Sequence, residues 1–428
     1  MLTLEDFGVT KEETTLSNGT RLMLFKKPKS PISIRATFLA GSRFDPVGKE
    51  GTSHFLEHMI VAGSKRFPSK DKLATYIEQY GGVFSASTSA DTINVSVSVG
   101  DPNDLKYACE ILHEILLESL FDEKTIETER GSILKELSTK KSNPGSMLWE
   151  VWRKLFFQDT EIGRSTLGSE ESIASISKTD LIEFRDNHFV SGKLLLTVSG
   201  DVTLQELREQ FESLLLLPES KPFSFTKDLF FSRRQTTYIE PYPKLDQTYI
   251  IYGFRTPKIL HPDEPALEVI TEILGGGRAS TLQKKLRYEK GLVYAASAYL
   301  QSMADCGSWL VSTSTSKDKV QEVIDIITGE IRRVIDNGLT EEEIMFAKNK
   351  MIKSKLMEMQ TTSSWVNFHA YYSLVDKTGA WTIEDYLKEI ESVTSEKTKE
   401  VATKYFGGDK WFLGVCGDIK EDSIKIEW

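Results

Sequence analysis

Residues 93–99 alternate Ile93, Val95, Val97 and Val99 with polar side chains, the period of two expected of a strand with one buried face. Residues 83–89 lie just upstream, so 83–99 is predicted to fold as a hairpin. Segments 21–25 and 32–39 cluster or alternate apolar residues over strand lengths, and the turn pair Asn18-Gly19 precedes the first. Helical patterning takes over at 51–62. Pro68-Ser69 then opens a second helix, closed by Gly81-Gly82, with Leu73, Ile77 and Tyr80 on one face. Two long helices are predicted over about 102–120 and 122–141.

The pattern then repeats. Leu194–Gly200 followed by Asp201-Val202 recurs as Trp411–Gly417 followed by Asp418-Ile419, with the Gly-Asp pairs 217 residues apart. Phe121-Asp122-Glu123-Lys124-Thr125-Ile126 recurs as Leu339-Thr340-Glu341-Glu342-Glu343-Ile344, offset by 218. Near-equal offsets at distant points predict duplicated domains. Between the copies, 217–235 holds Pro218, Ser220, Pro222 and Ser224 with little periodicity, and reads as a linker. The expected organisation is an α+β chain of two homologous domains, 1–216 and 236–428, each a mostly antiparallel sheet covered by helices.

At 428 residues the chain is long enough for two cores, and its 39% hydrophobic and 27% charged residues are those of a globular protein. No run of eighteen apolar residues occurs, so no membrane span is expected. The net charge of −10 repels phosphate backbones and argues against nucleic acid as a partner. Cys109, Cys306 and Cys416 are odd in number and widely spaced, which reads as core cysteines in a reducing compartment. The first residues, Met1-Leu2-Thr3-Leu4-Glu5-Asp6-Phe7, carry acids where a targeting peptide carries Lys or Arg, so a cytoplasmic location is expected.

The chemistry concentrates in His54-Phe55-Leu56-Glu57-His58. On a helix, His54 and His58 stand one above the other, a geometry that lets two imidazoles bind one metal ion. Glu57 lies about one-sixth of a turn to the side of His54, within reach of a water at the metal and able to take its proton. This is the H-x-x-E-H order. At an offset of 213, Leu267, Ile270 and Thr271 fall opposite His54, Glu57 and His58, so one metal site per chain is expected. Catalytic zinc takes three protein ligands plus water. The helix over 122–141 offers Glu127, Glu129 and Glu136; the last two point the same way but stand about 10 Å apart along the axis. One is expected to bind metal and the other to orient a neighbour, and spacing alone does not choose between them. Their counterparts in the second copy are Ala347 and Ser354.

This motif, followed by Glu129-Arg130 and then Glu136, resembles the inverzincin peptidases, the group of pitrilysin, insulin-degrading enzyme and mitochondrial processing peptidase, in its short two-domain form. The likeness extends through Gly41-Ser42-Arg43-Phe44-Asp45, Gly81-Gly82, Gly163-Arg164, Leu167-Gly168 and Gly200-Asp201. It implies zinc held by His54, His58 and Glu136, with Glu57 as general base and Glu129 supporting the site. A second signature, Gly275-Gly276-Gly277-Arg278, leads into Arg287 and Tyr294, which the resemblance assigns to substrate contact and stabilisation of the reacting carbonyl. As a phosphate loop the glycine triplet lacks the Gly-Lys-Ser/Thr ending.

Some positions depart from the family. Ser85-Ala86 replaces a common Asn-Ala where a sheet edge receives substrate backbone, Thr160-Glu161 stands where many relatives have His-Pro, and Phe189 replaces a common Tyr. The resemblance implies a zinc-dependent endopeptidase with one Zn²⁺ per chain, acting on peptides or small unfolded proteins. It also implies that the chain forms half of a clam-shell chamber, completed as a homodimer or as a heterodimer with a homologous subunit. The alternative from another class is a noncatalytic scaffold or partner subunit of a peptidase complex.

Overall fold

A computed structural model describes the whole chain except residues 1, 159, 224, 226–228, 230–234, 377, 421–422 and 428. Much of the expected linker, 224, 226–228 and 230–234, lies outside the described residues. Strands β1 (Thr10–Thr15), β2 (Arg21–Lys26), β3 (Ile32–Phe38), β4 (Val83–Thr88), β5 (Ile93–Val99) and β6 (Leu194–Gly200) form one sheet in the order β1-β2-β6-β3-β5-β4. Strands β7 (Thr237–Pro241), β8 (Gln247–Thr256), β9 (Ala296–Ser302), β10 (Gly307–Ser316) and β11 (Trp411–Gly417) form a second, β7-β11-β8-β10-β9.

The order β2-β6-β3-β5-β4 therefore recurs strand for strand. In each sheet a single pair is parallel, β2 with β6 and β7 with β11, and every other pair is antiparallel. The α+β duplication read from the sequence is present in both sheets.

The alternation in β5 does what its period requires. Val95 and Val97 pair in register with Ala36 and Ile34 of β3, and all four are buried. Over that face lie α1 (Thr52–Ala62), α2 (Lys70–Glu78) and α3 (Leu105–Leu117), followed in the chain by α4 (Glu123–Ser142) and α5 (Pro144–Phe157). Phe55, Leu56 and Met59 of α1 join Ile111, Leu112 and Ile115 of α3 in one core with the β3 and β5 side chains. The predicted helix over 102–120 is shorter than expected, because residues 102–104 form a separate turn capped by Asp101.

Contacts divide the chain into two interleaved units: residues 1–137, 164–224 and 356–384, and residues 138–163, 225–355 and 385–428. The expected domains 1–216 and 236–428 each lend a helix to the other unit. The helix Thr362–Val375 covers the second face of the first sheet, where Thr362 Oγ1 lies 3.0 Å from Ser33 Oγ and Asn367 accepts from Arg35 at 2.9 Å. In the second unit α5 packs on β8 and β11, and a Cβ at Gly414 would stand 2.9 Å from Val151 of α5. These two helices start 218 residues apart, the same offset as α4 and the helix Glu341–Glu358. The reason is burial: β6 is buried along its whole length, so each sheet needs cover on both faces. All three cysteines are buried and unbridged, and no helix among the described residues is long and apolar enough to cross a membrane.

Candidate metal centre

Helix α1 starts where the chain turns sharply at Gly51, whose φ of 96° lies in the left-handed region. Its first free amides are met from outside the helix: Asp45 accepts from Gly51 N–H at 2.7 Å and Ser53 N–H at 2.8 Å. Arg164 in turn donates to the Asp45 carbonyl at 2.6 Å. The first turn of α1 is thereby pinned directly before His54.

His54 and His58 lie one turn apart with ring centroids 4.7 Å apart. Across from them runs α4, fixed by Arg130, which donates to the Ile176 carbonyl at 2.9 Å and lays its guanidinium 5.2 Å from the Phe55 ring centre. Glu127 pairs with Arg130 at 3.1 Å and takes no part in the cluster. Glu136 Oε2 approaches His54 Nε2 at 3.7 Å and His58 Nε2 at 3.8 Å. Glu129 Oε2 lies 2.9 Å from His58 Nδ1, on the other side of the same ring. An imidazole carries its nitrogens on different edges, so acids two turns apart on α4 both reach His58. With Nδ1–H donated to Glu129, the tautomer that this partner implies, His58 presents its Nε2 lone pair toward Glu136 and His54.

One ligand atom from each of His54, His58 and Glu136 falls within 4.8 Å of the others. Tetrahedral zinc with bonds of about 2.1 Å has ligand-to-ligand edges of about 3.4 Å, so the 3.7 and 3.8 Å approaches fit an ion after a small inward movement. The Glu136 side chain is 50% exposed, which leaves the cluster open to solvent on that side, as a catalytic rather than a structural metal site requires. Glu57 is beside the cluster and outside the ligand triplet. Burial raises the Glu57 carboxyl above its ordinary range, opposed by a 2.7 Å hydrogen bond from the Thr88 hydroxyl. A carboxylate so held is poised to accept a proton.

The second unit provides the contrast. Thr271, opposite His58 in the repeat, accepts the Trp309 Nε1–H at 3.0 Å. The helices Glu264–Gly275 and Glu341–Glu358 are joined by an ion pair from Lys350 to Glu272, with Lys350 also donating to the Gly276 carbonyl. An ion pair there links two helices whose counterparts in the first unit carry the histidine and glutamate cluster.

The remaining sequence-derived residues sit on other elements. Ser85 and Ala86 sit in β4, an edge strand that pairs only with β5 among the described residues. Arg287 and Tyr294 belong to the second unit, where the Arg287 guanidinium lies 4.8 Å over the Tyr294 ring and Tyr294 is 82% exposed. Phe189 stacks on Phe38 with centres 4.2 Å apart, so its substitution for Tyr is a matter of the core. Sequence reading gave no separate role to Asp45, Thr88 or Arg130. Asp45 and Arg130 stand inside the family-like motifs, and Thr88 ends the strand edge, 85–88, expected to receive substrate, with no signal for a contact to Glu57.

A repeated sheet with one H-x-x-E-H helix facing a helix with two glutamates defines a chain of the inverted-zincin peptidase type. The insulinase model of peptidase family M16 matches residues 22–170, and the peptidase M16 inactive domain model matches 175–351. The chain belongs to peptidase family M16, in its short, processing-peptidase-like form. It is 27% identical over 429 residues to an uncharacterized zinc protease of Streptomyces coelicolor, covering 96% of this chain and 90% of that protein. It is 26% identical over 424 residues to the beta subunit of rat mitochondrial-processing peptidase, covering 95% of this chain and 84% of that protein. The fold matches a crystal structure from Pseudomonas fluorescens, described as a peptidase M16 inactive domain, with a TM-score of 0.89 at 18% identity, over 96% of this chain and 99% of that one.

Proposed function

We propose that this chain is a zinc-dependent endopeptidase acting on peptides or small unfolded proteins. The observation that carries the reading is a His54, His58 and Glu136 triplet of ligand spacing with an acid, Glu57, beside it and outside it. A zinc ion held by these three residues, one per chain, supplies Lewis acidity toward water and the scissile carbonyl. Glu57 takes the proton of the attacking water and returns it to the leaving amine. Glu129 holds the His58 tautomer. The edge of β4 at Ser85 and Ala86, unpaired on its outer side among the described residues, offers main-chain groups to an extended substrate, which grips a peptide without demanding one sequence. Purified protein is expected to hold about one zinc per chain and to cleave an unfolded peptide, with cleavage lost on chelation and recovered on zinc addition. Stoichiometric zinc with no cleavage of any unfolded peptide would overturn the reading in favour of the scaffold alternative.

Arg287 and Tyr294 are assigned to substrate contact and oxyanion stabilisation, reaching the zinc site of a second, homologous subunit in a clam-shell dimer. Support comes from the named beta subunit among the relatives and from the exposure of Tyr294. Mixing Arg287→Ala chains with Glu57→Gln chains is expected to restore activity, since the mixed dimer contains one site with both residues intact. Mixed dimers, verified by mass, that stay as inactive as either parent would rule out the shared site.

A further inference from the structure

The hydroxyl of Thr88 donates to Glu57 Oε2 at 2.7 Å, and Thr88 is the last residue of β4, the edge strand that carries Ser85 and Ala86. Both ends of this hydrogen bond are fastened by one loop, residues 41–45. On the strand side, Gly41 N–H donates to the Asp91 carbonyl at 3.1 Å, Ser42 N–H to Ser89 at 3.0 Å and Arg43 N–H to Ala90 at 3.0 Å. Arg43 also forms a buried ion pair with Asp91 at 2.7 Å, and Asp91 accepts from the Tyr371 hydroxyl. The approach is so close that a Cβ on Gly41 would stand 2.4 Å from the Ala90 carbonyl oxygen, leaving room only for glycine. On the helix side, Asp45 of the same loop holds the first turn of α1, two turns before Glu57 at most. Five residues thus set the position of the helix bearing the acid against the strand bearing its hydrogen-bond donor.

We propose that Thr88 is a positioning residue of the hydrolytic site, whose hydroxyl occupies Glu57 Oε2 and fixes the carboxylate so that proton transfer falls to Oε1. The proposal rests on the peptidase reading and deepens it: the strand edge that receives substrate and the group that takes the proton are tied together through one side chain. A carboxylate on a side chain with three torsions otherwise rotates, and rotation of the acceptor away from the attacking water is costly in rate. Threonine suits the position because its β-branched side chain has few rotamers in a strand and so presents the hydroxyl in a fixed direction.

The test compares Thr88→Val, which keeps the shape and removes the hydroxyl, with Thr88→Ser, which keeps the hydroxyl. With an internally quenched unfolded peptide, Thr88→Val is expected to lower kcat by about 30-fold with KM within about twofold and zinc content unchanged, and Thr88→Ser to recover kcat to within about threefold of wild type. A Thr88→Val protein within twofold of wild type in kcat, or one that Thr88→Ser does not exceed, overturns the proposal. Crystals of the zinc-loaded proteins give a readout independent of turnover. There the Glu57 carboxylate is expected to turn away from its wild-type position in Thr88→Val and to superpose in Thr88→Ser. An unmoved Glu57 in Thr88→Val overturns the positioning role even if wild type cleaves nothing, whereas an inactive wild type with a displaced Glu57 in Thr88→Val overturns the peptidase reading alone.

Discussion

Glu57→Gln is expected to lose peptide hydrolysis by on the order of 10³-fold while still binding one zinc per chain. Glutamine matches glutamate in size and its amide oxygen still accepts from Thr88, so the surroundings of α1 are preserved. What it lacks is an oxygen that can take a proton from water and give it to the leaving amine. Because Glu57 stands outside the triplet of ligand atoms, metal content is not expected to follow activity. Metal analysis beside kcat on the same preparation separates the two. If Glu57→Gln retains activity within tenfold of wild type, the proton acceptor is another group and the role given to Glu57 is wrong.

Zinc affinity separates Glu136 from Glu129. A protein zinc site is worth about 10–16 kcal/mol over its ligand set, so losing one anionic ligand in Glu136→Gln costs about 4 kcal/mol, on the order of 10³-fold in Kd. Glu129→Gln leaves the triplet whole and loses only the charged partner of His58 Nδ1, for which 10- to 100-fold weakening is typical, so about 30-fold is expected. Competition with a chromophoric chelator measures both. The reverse order, with Glu129→Gln losing zinc and Glu136→Gln keeping it, would exchange the two roles. Neither change is expected to unfold the protein, since both side chains are partly exposed and neither belongs to the core.

Legibility differed from one element to the next for physical reasons. The alternation of Ile93, Val95, Val97 and Val99 has the same period as the strand, so it located β5 directly. The repeat offsets survived because β6 and β11, and α4 and the helix Glu341–Glu358, occupy equivalent places in two copies of one sheet. The exchange of α5 and Thr362–Val375 between the units left no mark in the periodicity. An amphipathic helix shows that it has an apolar face, and nothing in its own residues says which sheet will cover it.

By itself the sequence determined the two-sheet duplication, the helix bearing His54, Glu57 and His58, and the occurrence of the H-x-x-E-H residues in only one of the two copies. These depend on local periodicity and residue identity, which the chain carries along its length. Only the tertiary structure decided that Glu136 meets the Nε2 side of the histidine pair and Glu129 the Nδ1 side of His58. It alone brought Thr88 to Glu57 and set residues 41–45 against both the hairpin and α1. Apart from the local bonds of Asp45 to α1, those contacts join residues far apart in the chain, and their distances follow from how α1 lies against α4 and β4, a geometry that core packing fixes and that spacing along the sequence does not encode.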